Sequence, residues 1–117
     1  MTAGPIVSRP GDGELLVRED RTLCVRVDEP QLSVIEIEFE PSFRVEQHSH
    51  GDHVDAFYVL EGEVEFLLEE GPVVAGPGTL VAAPPDTVHG FANPGPGRAR
   101  ILNFHAPDAG FVASLQR

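Results

Sequence analysis

The chain has 117 residues, a length typical of one domain, and its 19 acidic residues outweigh 8 arginines to give a formal charge of −11. This acidity disfavours nucleic acid and anionic lipid as partners, and the absence of lysine excludes Schiff-base chemistry and a phosphate-loop lysine. A single cysteine, Cys24, excludes an intrachain disulfide and a cysteine-rich zinc module.

Glycine and proline recur along the whole chain, and the longest stretch without either residue runs from 14 to 29. Both residues break helices, so a helical bundle or a coiled coil is excluded. In chain order we expect a loose arm over residues 1–12, a series of β-strands, and a short helix within residues 109–117. The predicted strands are Arg21–Val27, Gln31–Glu40, Phe43–His48, Val54–Leu60, Glu63–Glu69, Thr79–Ala83, Thr87–Asn93 and Arg98–His105.

Apolar side chains alternate with glutamates in 31–40 and again in 63–69, which is the period of a strand with one solvated face. Turn signals separate the strands, among them Gly71-Pro72 and Pro84-Pro85-Asp86. Many short strands joined by turns are typical of sandwiches and barrels. We therefore expect one all-β domain over residues 1–117, with an antiparallel barrel of six to eleven strands.

Histidines concentrate where chemistry can be expected, since three of the five lie within six residues. On a strand, the period of two would send the imidazoles of His48 and His50 to one face. Asp55 opens the next predicted strand and shares a face with Phe57. His89 follows 34 residues after Asp55, beyond a turn that returns the chain toward the first strand.

These residues resemble the two sequence motifs of the cupin superfamily, G-x5-H-x-H-x3,4-E-x6-G and G-x5-P-x-G-x2-H-x3-N. The chain follows them at His48, His50, Asp55, Gly62, Gly78, Pro84, His89 and Asn93. Three positions depart from the motifs: Ser42 and Asp86 stand where glycines are expected, and Asp55 replaces a glutamate. The chain is thus similar to a small single-domain cupin.

The resemblance implies an antiparallel double-stranded β-helix, or jelly-roll barrel, with one divalent transition metal inside it. Carried over by position, the ligands are His48, His50, Asp55 and His89, a donor set that suits Fe, Mn, Zn, Ni or Co. Aspartate is one methylene shorter than glutamate, so either the strand approaches the metal more closely or the carboxylate binds through water. His53 has the opposite parity and is expected at the rim, but it is the alternative ligand if Asp55 cannot reach.

His105 shares a face with Asn103 in the last predicted strand. It is either an acid, a base or a substrate contact inside the barrel, or a hydrogen-bonded core histidine. The leading hypothesis is a metal-dependent enzyme, a dioxygenase or an isomerase, acting on a small organic molecule. The alternative is a non-catalytic ligand-binding or sensor module that uses the same pocket.

The expected partners follow from the same observations. We expect a small-molecule ligand, no nucleic acid and no membrane, and the resemblance implies a homodimer. No apolar run approaches the ~20 residues of a membrane span, and the N-terminus lacks a basic-then-apolar signal pattern, so we expect a cytoplasmic protein.

Overall fold

Ten strands and one short helix form from residues 4–117, the part of the chain that this computed structural model describes. The elements are β1 (Glu14–Val17), β2 (Arg21–Glu29), β3 (Leu32–Phe39), β4 (Arg44–His48), β5 (Val54–Glu61), β6 (Val64–Leu68), β7 (Gly71–Ala75), β8 (Leu80–Ala83), β9 (His89–Ala92), β10 (Ala99–Ala106) and α1 (Phe111–Leu115). With only five residues, α1 is far too short to cross a lipid bilayer, and residues 4–117 contain no helix that could.

Two antiparallel sheets enclose the core. One has six strands in the order β1-β2-β3-β10-β5-β8, and the other has four in the order β4-β9-β6-β7. Phe57 of the first sheet contacts Phe66 and Phe91 of the second, with ring centres 5.5 and 5.3 Å apart. The predicted all-β, antiparallel jelly-roll barrel is therefore confirmed.

Strand alternation decides which side chains enter the barrel. Ile35, Ile37 and Phe39 of β3 are buried, whereas the glutamates between them face outward. There Glu36 binds Arg26 at 2.7 Å and Arg100 at 2.6 Å, so it is paired with arginines of both neighbouring strands. The inward face, by contrast, is apolar along most of each strand and becomes polar toward the end where the candidate site lies.

Two strands were not predicted from the sequence. β1 has only four residues, in which apolar and polar side chains do not alternate, and it is recognised by its pairing with β2. Gly71-Pro72 was predicted to be a turn, but β7 begins at Gly71 and pairs with β6. Proline is tolerated there because β7 is the edge strand of its sheet, where an absent N–H costs no ladder bond.

The N-terminal segment contains no strand between residue 4 and residue 13. Arg26 nevertheless holds part of it, since its Nε donates to Ser8 Oγ at 2.7 Å and its Nη2 donates to the Ser8 carbonyl at 3.0 Å. Residues 1–3 of the predicted loose arm lie outside the described residues.

Candidate metal centre

Four side chains meet at the polar end of the barrel. His48 ends β4, His50 follows it in a loop, Asp55 lies in β5 and His89 begins β9. One nitrogen or oxygen of each lies within 4.8 Å of the corresponding atoms of the others. The prediction that both histidines of the H-x-H pair lie on a strand is wrong for His50, yet its ring centre is only 4.6 Å from that of His48.

Backbone contacts bring His50 and His89 into place. The N–H of Asp86 donates to the carbonyl of His50 at 2.6 Å, which ties the loop after β4 to the turn before β9. Asp86 has φ 68°, the left-handed conformation that favours glycine and that aspartate tolerates better than most residues. Gly90 allows β4 to pass closely, because a Cβ there would lie 2.6 Å from the Val45 carbonyl oxygen.

Hydrogen bonds to backbone carbonyls fix the tautomers of two histidines. Nδ1 of His48 lies 2.8 Å from the Glu46 carbonyl, and Nδ1 of His89 lies 2.9 Å from the Thr87 carbonyl. A carbonyl only accepts, so each Nδ1 carries the proton. In the neutral imidazoles each Nε2 then carries a lone pair that is free to bind a metal. Histidines that ligate metals commonly donate their other ring N–H to a carbonyl in this way.

Asp55 reaches this group directly. Its Oδ2 lies 2.9 Å from His89 Nε2 and 3.7 Å from His50 Nε2, and the residue is only 4% exposed. Ligands about 2.1 Å from a shared ion lie roughly 3.0–3.4 Å apart at right-angled to tetrahedral geometry. These two separations bracket this range, so the four side chains could hold a metal ion.

The pKa values of the side chains in this group also favour a bound cation. Burial alone would raise the pKa of Asp55, but hydrogen bonds with His105 and His89 hold it well below its usual range. Burial lowers the pKa of His89, and its bonds with Asp55 and Thr87 outweigh this and raise it. Burial, together with the neighbouring histidines, lowers the pKa of His50. Asp55 is therefore anionic, and a negative charge buried among imidazoles favours a cation at this position.

The other oxygen of Asp55 belongs to a second network. Oδ1 accepts from Asn103 Nδ2 at 2.7 Å and lies 3.2 Å from His105 Nε2, which also lies 3.0 Å from Asn103 Oδ1. Both neighbours of His105 Nε2 are acceptors, so this nitrogen carries a proton, and in the neutral ring Nδ1 carries a lone pair. Nδ1 of His105 is buried and has no hydrogen-bond partner.

His53 is buried, 7% exposed, and not at the rim as the parity of the sequence predicted. The loop that holds it has no strand period, so parity carries no information there. Its Nδ1 donates to Asp52 at 2.8 Å, and its Nε2 is buried without a partner. His53 groups with Asp55 and His105 rather than with the four side chains described above.

Four rings stack in a column from the metal group to the C-terminal helix. Ring centres lie 4.3 Å apart between His50 and His53, 4.9 Å between His53 and His105, and 3.8 Å between His105 and Phe111. The planes of His53 and His105 differ by only 21°. In-plane lone pairs on nearly parallel rings do not converge on one point, so this pair is poorly arranged to share a second ion.

A cavity of about 600 Å³ adjoins these side chains and continues between the sheets. Its walls come from both sheets and from the C-terminal segment. Its lining residues are Arg21, Leu23, Ile37, Phe43, Val45, His48, His50, Asp52, His53, Asp55, Phe57, Phe91, Asn103, His105, Ala109, Gly110, Phe111, Ser114, Leu115 and Arg117. The sequence pattern did not predict a functional role for Asn103, Arg21 or Phe111. Among these three, only Asn103 could have been recognised from the sequence, because it is a polar residue at an inward-facing strand position.

Comparison with known protein families identifies the family of this chain. A family profile described as "Cupin domain" matches residues 35–105. Among curated proteins, the chain is 27% identical over 93 residues to quercetin 2,3-dioxygenase of Bacillus subtilis (strain 168). That match covers 76% of this chain but only 28% of the dioxygenase, so the chain spans less than a third of that relative's length.

Solved structures support the fold. An RmlC-like cupin from Shewanella frigidimarina NCIMB 400 superposes with a TM-score of 0.76 at 20% identity, covering 92% of this chain and 95% of the other. The polyketide cyclase RemF from Streptomyces resistomycificus superposes with a TM-score of 0.72 at 23% identity, covering 89% and 80% of the two chains.

Proposed function

This chain belongs to the cupin domain family, and on that premise we propose that it is a metal-dependent enzyme acting on a small organic molecule. The observation that carries the proposal is Asp55, whose two oxygens join the four-residue candidate metal group to a histidine whose Nδ1 has no hydrogen-bond partner. The ligands are His48, His50, Asp55 and His89. The reaction is of the dioxygenase type, which the similarity to quercetin 2,3-dioxygenase supports, or of the isomerase type.

Three imidazoles and one carboxylate suit Fe, Mn, Zn, Ni or Co, and such an ion supplies Lewis acidity or a place for dioxygen to bind. The chain's own residues supply orientation and proton transfer. Asn103 and His105 hold Oδ1 of Asp55, which fixes the direction in which Oδ2 points. His105 accepts a substrate proton at Nδ1 while its Nε2–H stays bonded to Asp55.

Turnover by the metal-loaded protein tests this proposal. Protein reconstituted with each of the five metals is incubated with a panel of small phenols, hydroxy acids and sugars. An oxygen electrode detects dioxygenase activity, and chromatography with mass spectrometry detects isomers of unchanged mass. Ligands that bind without conversion across all five metals would instead establish the non-catalytic binding module.

Replacing His105 with glutamine tests its role in proton transfer. Glutamine keeps an N–H donor for Asp55 but cannot take up a proton, so kcat should fall by roughly 10²–10⁴. Metal content should stay at the wild-type level, because His105 is not among the four ligands. An unchanged kcat, or a loss of activity that follows loss of metal, would remove His105 from the mechanism.

We also propose a homodimer formed through the outer face of the six-stranded sheet. Tyr58 and Leu80 pair across β5 and β8, and they are 37% and 62% exposed. Leu102, opposite Tyr58 on β10, extends this apolar row. Tyr58→Glu should convert the dimer to a monomer in light scattering, whereas Leu15→Glu, at a 63% exposed site on β1, should not. A monomeric mass for the unmodified protein would contradict the proposal.

A further inference from the structure

We propose that the cavity takes a small organic carboxylate, with its anionic group on Arg21 and its apolar body between the two sheets. This deepens the proposed function by naming a substrate class, and it rests on that function for what happens at the other end of the ligand.

Arg21 lies at the opposite end of the barrel from the metal group. It pairs with Phe39 at the end of β3, whereas Asp55 lies level with Ser33 at its beginning, through His105 of β10. Six residues separate these levels, which is ~20 Å of strand. Because Arg21 and the metal group line the same cavity, a ligand inside it has two polar ends available and an apolar stretch between them.

Hydrogen bonding and ring contact hold the Arg21 guanidinium in place, but only part of its N–H donors are bonded. Its Nη1 donates to Asp20 Oδ1 at 2.8 Å, and its central carbon lies 4.8 Å from the ring centre of Phe43. A guanidinium carries five N–H donors in a planar fork that matches a carboxylate. Asp20 is the one carboxylate that Arg21 contacts in residues 4–117, so donors remain for a ligand.

Charge within the cavity differs from charge on the rest of the molecule. Two arginines, Arg21 and Arg117, and two aspartates, Asp52 and Asp55, line it, so the lining carries no net charge in a chain of −11. Both aspartates lie on the metal side, where Asp55 faces His89 and Asp52 binds His53. A bound divalent ion would make the lining positive, which favours an anionic ligand over a neutral one.

The wall between the two ends is apolar and well packed. Phe43 and Phe91 line it, and they contact each other and the buried Phe39 edge to face, with ring centres 5.5–6.0 Å apart. Leu115 of the C-terminal helix contributes to the same lining. Such a wall binds a hydrocarbon or aromatic body by removing it from water, and a cavity of about 600 Å³ suits a molecule of drug-like size.

A matched pair of probes tests the assignment: 4-phenylbutanoate and its amide, which differ in charge but hardly in shape. In isothermal titration we expect the acid to bind at least about tenfold more tightly than the amide, to metal-free and zinc-loaded protein alike. Arg21→Gln should remove this preference by weakening the acid and sparing the amide. Arg21→Lys, which keeps the charge without the fork, should recover part of it. The control is Arg44→Gln, at an exposed arginine that pairs with Glu46 and does not line the cavity.

Equal affinities for acid and amide would overturn the proposal, and so would an unchanged preference in Arg21→Gln. A preference seen only with zinc bound would place the carboxylate on the metal and would equally overturn it. The titrations need no turnover, so a protein that proves to be a non-catalytic binding module would still show the Arg21-dependent preference. Failure of the proposed enzymatic function is therefore distinguishable from failure of this inference.

Discussion

The double variant His48→Ala/His50→Ala is expected to lose its transition metal, falling from about one equivalent per chain to less than a tenth of that after dialysis. The two imidazoles are half of the four-residue group, and the Nδ1–H of His48 is already committed to the Glu46 carbonyl, so its Nε2 serves the ion. What remains is His89 and Asp55, and one imidazole with one carboxylate holds these ions weakly. Elemental analysis of protein as purified, and after zinc reconstitution, measures the loss.

A matched control removes the same number of imidazoles from the neighbouring group. His53→Ala/His105→Ala deletes the two histidines whose rings stack at 4.9 Å, and it leaves all four proposed ligands in place. Because His105 orients Asp55, we expect affinity to fall by no more than about 100-fold, the usual effect of losing an outer hydrogen bond, with stoichiometry retained. Wild-type metal content in the first variant, or complete loss in the control, would place the metal elsewhere.

Strand periodicity explains why much of the site could be predicted. Alternation along β5 places Asp55 on the buried face with Phe57, and alternation along β10 places His105 with Asn103, as the sequence indicated. Motif spacing predicted that the four candidate ligands would meet, and the structure places them together. Each of these inferences depends on regular backbone, in which the direction of a side chain follows from counting.

Residue spacing does not predict the direction of a side chain where the backbone is irregular, and it does not predict which distant segments meet. His53 lies in the loop between β4 and β5, and its burial depends on stacking between His50 and His105 rather than on any period. Phe111 enters the site from a five-residue helix, whose docking no local pattern predicts. Arg21 looks like an ordinary strand residue in the sequence, and only the fold shows that it lines the same cavity as the metal group.

Asp55→Asn is expected to weaken metal binding by more than about 100-fold while leaving the fold intact. Both oxygens of Asp55 act as acceptors: Oδ1 for Asn103 at 2.7 Å, and Oδ2 toward His89, 2.9 Å away. An amide has one acceptor end. If its oxygen stays with Asn103, its NH₂ group faces the metal position, and if it turns over, its NH₂ group faces the donor of Asn103. Either orientation loses the charge and one favourable contact.

The Asp55→Glu variant tests whether the length of the side chain or the space around it limits metal binding. From the sequence alone, the shorter side chain suggests weak or water-mediated coordination, and glutamate should then tighten binding. The structure brings Oδ2 within 2.9 Å of His89 Nε2 and leaves Asp55 only 4% exposed among Asn103, His105 and His89. An extra methylene has little room there, so we now expect glutamate to weaken binding by about tenfold, since overfilling a packed site displaces its neighbours.

Competition with a chromophoric chelator measures both affinities, and thermal unfolding of the metal-free variants shows whether the fold survives. Asp52→Asn is the matched control, because Asp52 is the other aspartate of the cavity lining and contacts His53 rather than the four ligands. Its affinity should stay within a few-fold of wild type. If Asp55→Asn instead bound metal as well as wild type, the carboxylate would not be a ligand, and His53 would become the residue that completes the site. Tighter binding by Asp55→Glu would show that reach, and not packing, limits coordination by Asp55.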